Sequence, residues 1–195
     1  MRALLSVADK TGIVPLATTL AELGWELVAT PGTAAPLRDH GLHVVSTADC
    51  FGAPRMLDGR VKTLHPLLFA ALLARGDRAG HAAELEAGGV VPIDLYAGNF
   101  YPFPGRNPGQ DTLDSIDIGG PAMMRAAAKN HPWVVPLIDD ADYPEVAGLL
   151  RDAGGHPSGV GAERRRALAV KVFRTLSGLD TRIAAELAAR GALSR

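Results

Sequence analysis

Residues 59–66 read GRVKTLHP and set Arg60, Lys62, Thr63 and His65 within six positions. Two cations and two neutral donors that close suit an anionic or carbonyl-bearing ligand. His65, beside Pro66, equally suits a structural histidine. Lys62 is the informative residue. Of the 20 basic residues 16 are arginine, and only Lys10, Lys62, Lys129 and Lys171 are lysine. Arginine holds its proton at any usable pH, whereas a desolvated lysine can release one. A lysine retained in an arginine-rich chain points to chemistry that wants an amine.

A second group lies in SIDIGGPAMMRAAAKNH, residues 115–131. Asp117 precedes a Gly-Gly helix entry, and the N–H groups of Ile118, Gly119 and Gly120 suit a developing oxyanion. Lys129 follows Asp117 by twelve positions. A helix starting near Gly119 carries Lys129 about 15 Å away by rise. A direct Asp117–Lys129 pair then needs a bent chain or a later helix start. Met123 and Met124 read as core.

Three shorter segments complete the candidates. SVADKTG (6–12) sets Ser6 and Lys10 around a strand end ahead of a helix, a grouping that suits an anion or a solvated turn. It lacks the P-loop spacing. TPGT (30–33) offers Thr30, Gly32 and Thr33, small residues and hydroxyls that admit a phosphate or simply cap a helix. GNFYPF (98–103) places Asn99, which can donate and accept at once against an amide or a purine-like edge. Tyr101 beside it is a donor or core. The other histidines show no metal-ligand spacing, so no metal is expected, and no nucleophile elbow G-x-S-x-G is present.

These segments need elements to position them. Apolar runs at 3–7, 25–30, 42–47, 93–100 and 133–138 read as strands. Stretches at 12–24, 33–41, 78–89, 119–130, 142–153, 162–177 and 180–191 read as helices, with Thr33 as an N-cap and Gly24 as a stop. Residues 67–75 form an Ala/Leu segment, and 102–112 is loop. Strand–helix alternation predicts an α/β fold, a mostly parallel central sheet flanked by helices in three layers. In such sheets ligands bind beyond the carboxyl ends of the strands, where the candidate segments fall. The expected organisation is one domain over 1–195, with a core at 1–152 and a C-terminal helical extension at 160–195.

A net charge of −1 argues against a nucleic-acid partner. No apolar run reaches the roughly 18 residues of a membrane span. The first ten residues read as a strand and not a signal peptide. A single cysteine, Cys50, read as a buried small residue, fits a reducing cytoplasmic setting.

Together SVADKTG, TPGT, FGAPRMLDGRVKTLHP, NFYPF, DIGGPAMMRAAAKNH and DDADY resemble one family, the N-terminal IMP cyclohydrolase domain of a bifunctional purine-biosynthesis enzyme. There an AICAR transformylase follows; none is expected in this sequence. The resemblance covers about residues 2–150 in the same order, and more weakly the helices to about 190. It implies a methylglyoxal-synthase-like fold. It also implies ring closure of 5-formamidoimidazole-4-carboxamide ribotide to inosine monophosphate, with loss of water and no cofactor. The partner is then a small-molecule nucleotide, and a homodimer is compatible. By motif position Lys62, Tyr101, Asp117 and Lys129 match the catalytic group. Asp117 with Lys129 is then the proton-handling pair, while Lys62 and Tyr101 stabilise or protonate the departing oxygen. Ser6, Lys10, Thr30, Gly32, Thr33, Arg60 and Thr63 match nucleotide- and phosphate-binding positions, and Asn99 the base-facing one; Ile118 and Gly119 join the substrate-binding set.

The chain departs from that pattern at Ala8, where a hydroxyl is common, and at Pro31, which has no N–H. It departs again at Phe69, Ala70 and Ala71, where a histidine and then a glycine are usual, and in a short stretch between Tyr101 and Asp117. The alternative reading is a purine-nucleotide-binding regulatory module of the same fold without turnover. A methylglyoxal-synthase-type enzyme would want an acid base near the second strand and histidine-rich loops, which are missing.

Overall fold

The computed structural model describes residues 1–52, 56–101, 103 and 113–193. Ala53, Pro54 and Arg55 of the quoted motif lie outside the described residues, as do Pro102 and residues 104–112 of the expected loop. Five strands form one sheet: β1 (Arg2–Ser6), β2 (Glu26–Ala29), β3 (Val44–Ser46), β4 (Leu95–Gly98) and β5 (Val135–Leu137). Their order is β3-β2-β1-β4-β5, and every pairing is parallel. The expectation of a mostly parallel sheet is therefore met in full. The strands are almost continuously apolar because helices cover both faces and neither side meets water.

Eight α-helices are described: α1 (Ile13–Glu22), α2 (Pro31–Asp39), α3 (Thr47–Phe51), α4 (Pro66–Leu73), α5 (Ala79–Ala87), α6 (Gly119–Lys129), α7 (Tyr143–Asp152) and α8 (Ala162–Leu193). Alternate strand residues face opposite sides. Leu5, Ala29, Ala97 and Leu137 pack with α1, α2 and α7. Leu4, Val28 and Tyr96 pack with α4, α6 and α8, where Met123 and Met124 are fully buried. After β1 the chain winds one way to β2 and β3, and it later returns to β1's other side with β4. The switch point is thus the β1/β4 seam, whose last register pair is Ser6 with Gly98. Crevices open at such points.

Three local expectations need correction. The N-cap of α2 is Thr30, not Thr33: Pro31 suits the first helical position because its fixed φ is already helical and its absent N–H would be unpaired there anyway. The two C-terminal helices are one. A mid-helix glycine costs about 1 kcal/mol, but around Gly178 the flanking Leu176 and Leu179 are buried, and Asp180 accepts from Arg125 at 2.6 Å. The first half of α8 therefore belongs to the core. Lys171 ties it down, binding Asp139 at 2.6 Å and Asp142 at 2.7 Å. Cys50 is only half-buried, and burial raises its thiol pKa.

Candidate active site

A cleft of about 270 Å³ lies over the carboxyl ends of β1, β2 and β4. Its walls bring together Ser6, Lys10, Thr30, Gly32, Thr33, Lys62, Thr63, Asn99, Tyr101 and Asp117 from five separate stretches of sequence. Val7, Ala8, Pro31, Thr47, Ala48, Gly120 and Met123 complete the lining; Thr47 and Ala48 were not among the sequence candidates. Thr47 and Ala48 open α3 just beyond β3, so the rule that picks out strand ends could have found them.

One end of the cleft is a hydroxyl and amine corner. Thr33 is buried, and its Oγ1 accepts from the Val7 N–H at 3.0 Å and donates to the Val7 carbonyl at 3.2 Å. Lys10 Nζ donates to Thr33 Oγ1 at 3.3 Å and to the Val7 carbonyl. Burial lowers the Lys10 pKa, against the opposing pull of Asp9. Thr30 Oγ1 donates to Ser6 Oγ at 3.2 Å. Gly32 has open space where a side chain would stand, so a ligand can reach the start of α2 unobstructed. Thr33 is thus a brace for this corner, not a free donor.

Asn99 is also a brace. Its Oδ1 accepts from the Ala8 and Asp9 N–H groups at 2.6 and 2.9 Å, and its Nδ2 donates to the Asp9 carbonyl at 2.9 Å. Both oxygen lone pairs and one N–H are spent on the 8–10 turn, leaving one N–H for a ligand. A base-reading role that needs the amide to donate and accept at once is therefore closed.

Asp117, Lys62 and Tyr101, the candidate reactive groups, line the same cleft. Asp117 Oδ1 accepts from the Gly120 N–H at 3.1 Å, which fixes the carboxylate at the start of α6. A side chain at position 120 would stand 2.6 Å from Asp117 Oδ2 and 2.8 Å from Phe100, so glycine is needed there for close approach. The Gly120 N–H is consequently not free for an oxyanion. Gly119 packs against the buried Thr63, and Ile118 is exposed; neither lines the cleft. Lys62 follows a tight turn in which Leu57 and Asp58 have φ of 50° and 53°, a region rarely used by a branched apolar residue. The turn closes by an antiparallel bridge between Met56 and Val61. Lys62 is exposed and Tyr101 is 62% exposed, so both stand at the mouth, open to an incoming ligand. His65 caps α4, its Nδ1 accepting from the Leu67 N–H at 3.3 Å, which is the structural alternative for that residue.

Two candidates stand apart. Arg60 points to Asp114 at 3.6 Å on the surface. Lys129 occupies the last turn of α6, in a separate surface hollow with Arg125, His131, Arg166 and Phe173. The helix runs unbroken from Gly119 to Lys129, so the conflict noted from spacing is real: by rise about 15 Å of helix separates Asp117 from Lys129.

The MGS-like domain family matches residues 12–122, more than half of the chain. The chain belongs to the MGS-like domain family. The AICARFT/IMPCHase bienzyme family matches residues 127–194. The bifunctional purine biosynthesis protein PurH of Leuconostoc mesenteroides is 46% identical over 188 residues, 94% of this chain and 36% of that protein. PurH of Deinococcus deserti is 46% identical over 190 residues, 95% of this chain and 35% of that protein. The chain thus spans about a third of the length of these curated relatives. A solved structure described as the crystal structure of ForH superposes with a TM-score of 0.86 at 45% identity, covering 94% of this chain and 95% of that one. The matched region includes the cleft walls from Thr30 to Gly120, while Ser6, Val7, Ala8 and Lys10 precede it and Met123 follows it.

Proposed function

We propose that this chain is an IMP cyclohydrolase. It closes 5-formamidoimidazole-4-carboxamide ribotide to inosine monophosphate, with loss of water and without a cofactor. The observation that carries the reading is the make-up of one cleft. Ser6, Lys10 and Thr30 meet in a hydroxyl and amine corner, and Asp117, Lys62 and Tyr101 line the same cleft. A ribotide calls for both, an anion site for its phosphate and acid–base groups for its reacting atoms. The likeness to PurH over nearly the whole chain supports the same reading.

The reaction needs one base and one acid. The carboxamide nitrogen bonds to the formyl carbon and gives up a proton, which Asp117 is held to receive. The formyl oxygen gains charge and is met by Lys62 or Tyr101. Once protonated to a hydroxyl it leaves as water, taking a second proton, while the former formamide nitrogen loses its own to the base. The purine ring forms; the base has taken two protons and the acid has given two, and exchange through water returns the side chains to their starting protonation states. Thr63 and Arg60 remain proposed substrate contacts; Arg60 would have to swing from Asp114 to take part. Ile118 and Gly119 would contribute through their backbone.

Lys129 cannot share a proton with Asp117 of its own chain. A homodimer belongs to the proposal for this reason, because a second copy offers Lys129 a way into a cleft. The setting proposed is the cytoplasm, where purine nucleotides are made.

The test is an ultraviolet assay of the purified chain with the formylated ribotide, following formation of the purine ring. Turnover lost in Asp117→Asn, with the fold retained, is the expected result. Binding of inosine monophosphate without any turnover by the unmodified chain would overturn the enzyme reading.

A further inference from the structure

Among the described residues two buried phenols have no hydrogen-bond partner, Tyr96 and Tyr143. Tyr96 is the one beneath the cleft. It is completely buried on the α6-facing side of β4. Its ring runs along the strand toward the carboxyl edge: a side chain at Gly98 would stand 2.5 Å from the Tyr96 hydroxyl and 2.6 Å from Cζ. Gly98 is therefore the notch that lets the phenol reach the cleft floor. Across the seam Gly98 pairs with Ser6, and Ser6 and Asp117 are cleft residues whose polar groups act on the phenol.

Leaving a buried hydroxyl unpaired costs about 1–3 kcal/mol. Phenylalanine would fill the same space without that cost. The chain keeps the oxygen all the same, one layer below a serine that faces a ligand site. A serine oxygen accepts two hydrogen bonds and donates one. Thr30 already donates to it at 3.2 Å, which leaves one lone pair and one proton uncommitted. Burial first, then the charge of Asp117, push the Tyr96 pKa far above its ordinary value. The group keeps its proton throughout the usable pH range.

We propose that Tyr96 is a positioning residue for Ser6. When the anionic end of a ligand enters, the phenol donates to the free lone pair of Ser6 Oγ. With Thr30 on the other lone pair, the single serine proton must then point at the phosphoryl oxygen. The hydroxyl missing at Ala8 is in this way offset by a serine whose direction is set from below. The inference rests on the phosphate-corner reading of the proposed function.

The experiment compares wild type, Tyr96→Phe, Ser6→Ala and the double variant. Affinity for inosine monophosphate and for ribose 5-phosphate is measured by calorimetry, and thermal unfolding is measured without ligand. Tyr96→Phe is expected to melt at or above wild type, since it loses an unpaired buried group. It is expected to bind both ligands about fivefold more weakly, the weight of one hydrogen bond. In the Ser6→Ala background the second substitution is expected to change nothing further, as coupled residues require. A merely structural hydroxyl would instead lower the melting temperature. A lowered melting temperature, an unchanged affinity, or equal effects with and without Ser6 would each overturn the inference alone. If wild type binds neither ligand, the phosphate-corner reading falls and the inference with it.

Discussion

Thr33→Val removes one oxygen from the centre of the anion corner and keeps the side-chain shape. In the wild-type chain that oxygen accepts from the Val7 N–H at 3.0 Å and donates to the Val7 carbonyl at 3.2 Å, while Thr33 is 1% exposed. The valine variant leaves the Val7 N–H buried without an acceptor. The Val7 carbonyl keeps Lys10 Nζ as a donor, so one orphan results and not two. An unsatisfied buried donor costs about 1–3 kcal/mol, so about 2 kcal/mol is expected. A chain of this size loses about 2–4 °C of melting temperature per kcal/mol, which makes the expected drop roughly 4–8 °C. Thr33→Ser is the control. It keeps the oxygen and gives up one methyl group, worth about 0.8 kcal/mol. Thermal unfolding by circular dichroism ranks the three proteins as wild type, then Thr33→Ser, then Thr33→Val. The valine protein should also bind inosine monophosphate more weakly, because Lys10 loses a partner at 3.3 Å. A Thr33→Val protein that melts with wild type, or above Thr33→Ser, would refute the brace assigned to this hydroxyl.

Lys62→Arg keeps the charge of an exposed side chain, so its melting temperature should match wild type; turnover in the ultraviolet assay should fall about a hundredfold, because arginine is a poor proton donor. If Lys129 acts on a second copy, mixing inactive Lys129→Ala and Asp117→Asn chains should restore part of the turnover through hybrid dimers; a mixture as inactive as its parts would rule out the exchange. The tie between α8 and the Asp139–Asp142 turn should weaken at both ends of the pH scale. The Lys171 hydrogen bond, and then the Ala141 N–H, lower the Asp139 pKa from 3.8, and a lowered acid stabilises above its unfolded value and is lost as pH falls through the folded one. For Lys171, burial lowers the pKa from 10.5, but the Asp139 and Asp142 hydrogen bonds outweigh it and the net shift is upward. That contribution is present below the unfolded value and is lost as pH rises through the folded one. Urea midpoints measured against pH should therefore flatten in Lys171→Met.

Much of the architecture was legible because buried parallel strands have to be apolar on both faces. Runs such as ALLS in β1 and LVA in β2 stand out against the helices that follow. The strand-end rule then led to Ser6, Thr30, Asn99 and Asp117 without any coordinates. What pattern reading could not supply was how each polar group is spent. Nothing local to Asn99 announces that its amide closes a turn 90 residues earlier. Nothing around Thr33 says that its hydroxyl is bound to Val7, 26 positions away. Gly178 looked like a helix break because the cost of glycine is local, whereas the burial of Leu176 and Leu179 that overrides it is tertiary. Lys129 is the reverse case. Its distance from Asp117 followed from spacing alone, and the unbroken α6 agrees with it.

The notch at Gly98 also limits how this chain can vary. Any side chain there would meet the Tyr96 ring at 2.5–3.0 Å, and removing only the hydroxyl would leave the ring carbons in the way. Position 96 must therefore shorten before position 98 can grow, and position 98 must be bare before an aromatic ring can enter at 96. In a library randomised at both sites, surviving clones should show bulk exchanged between them as a conserved sum. Single-step trajectories between the two solutions must cross a variant small at both positions, which carries a cavity next to Met123 and Met124.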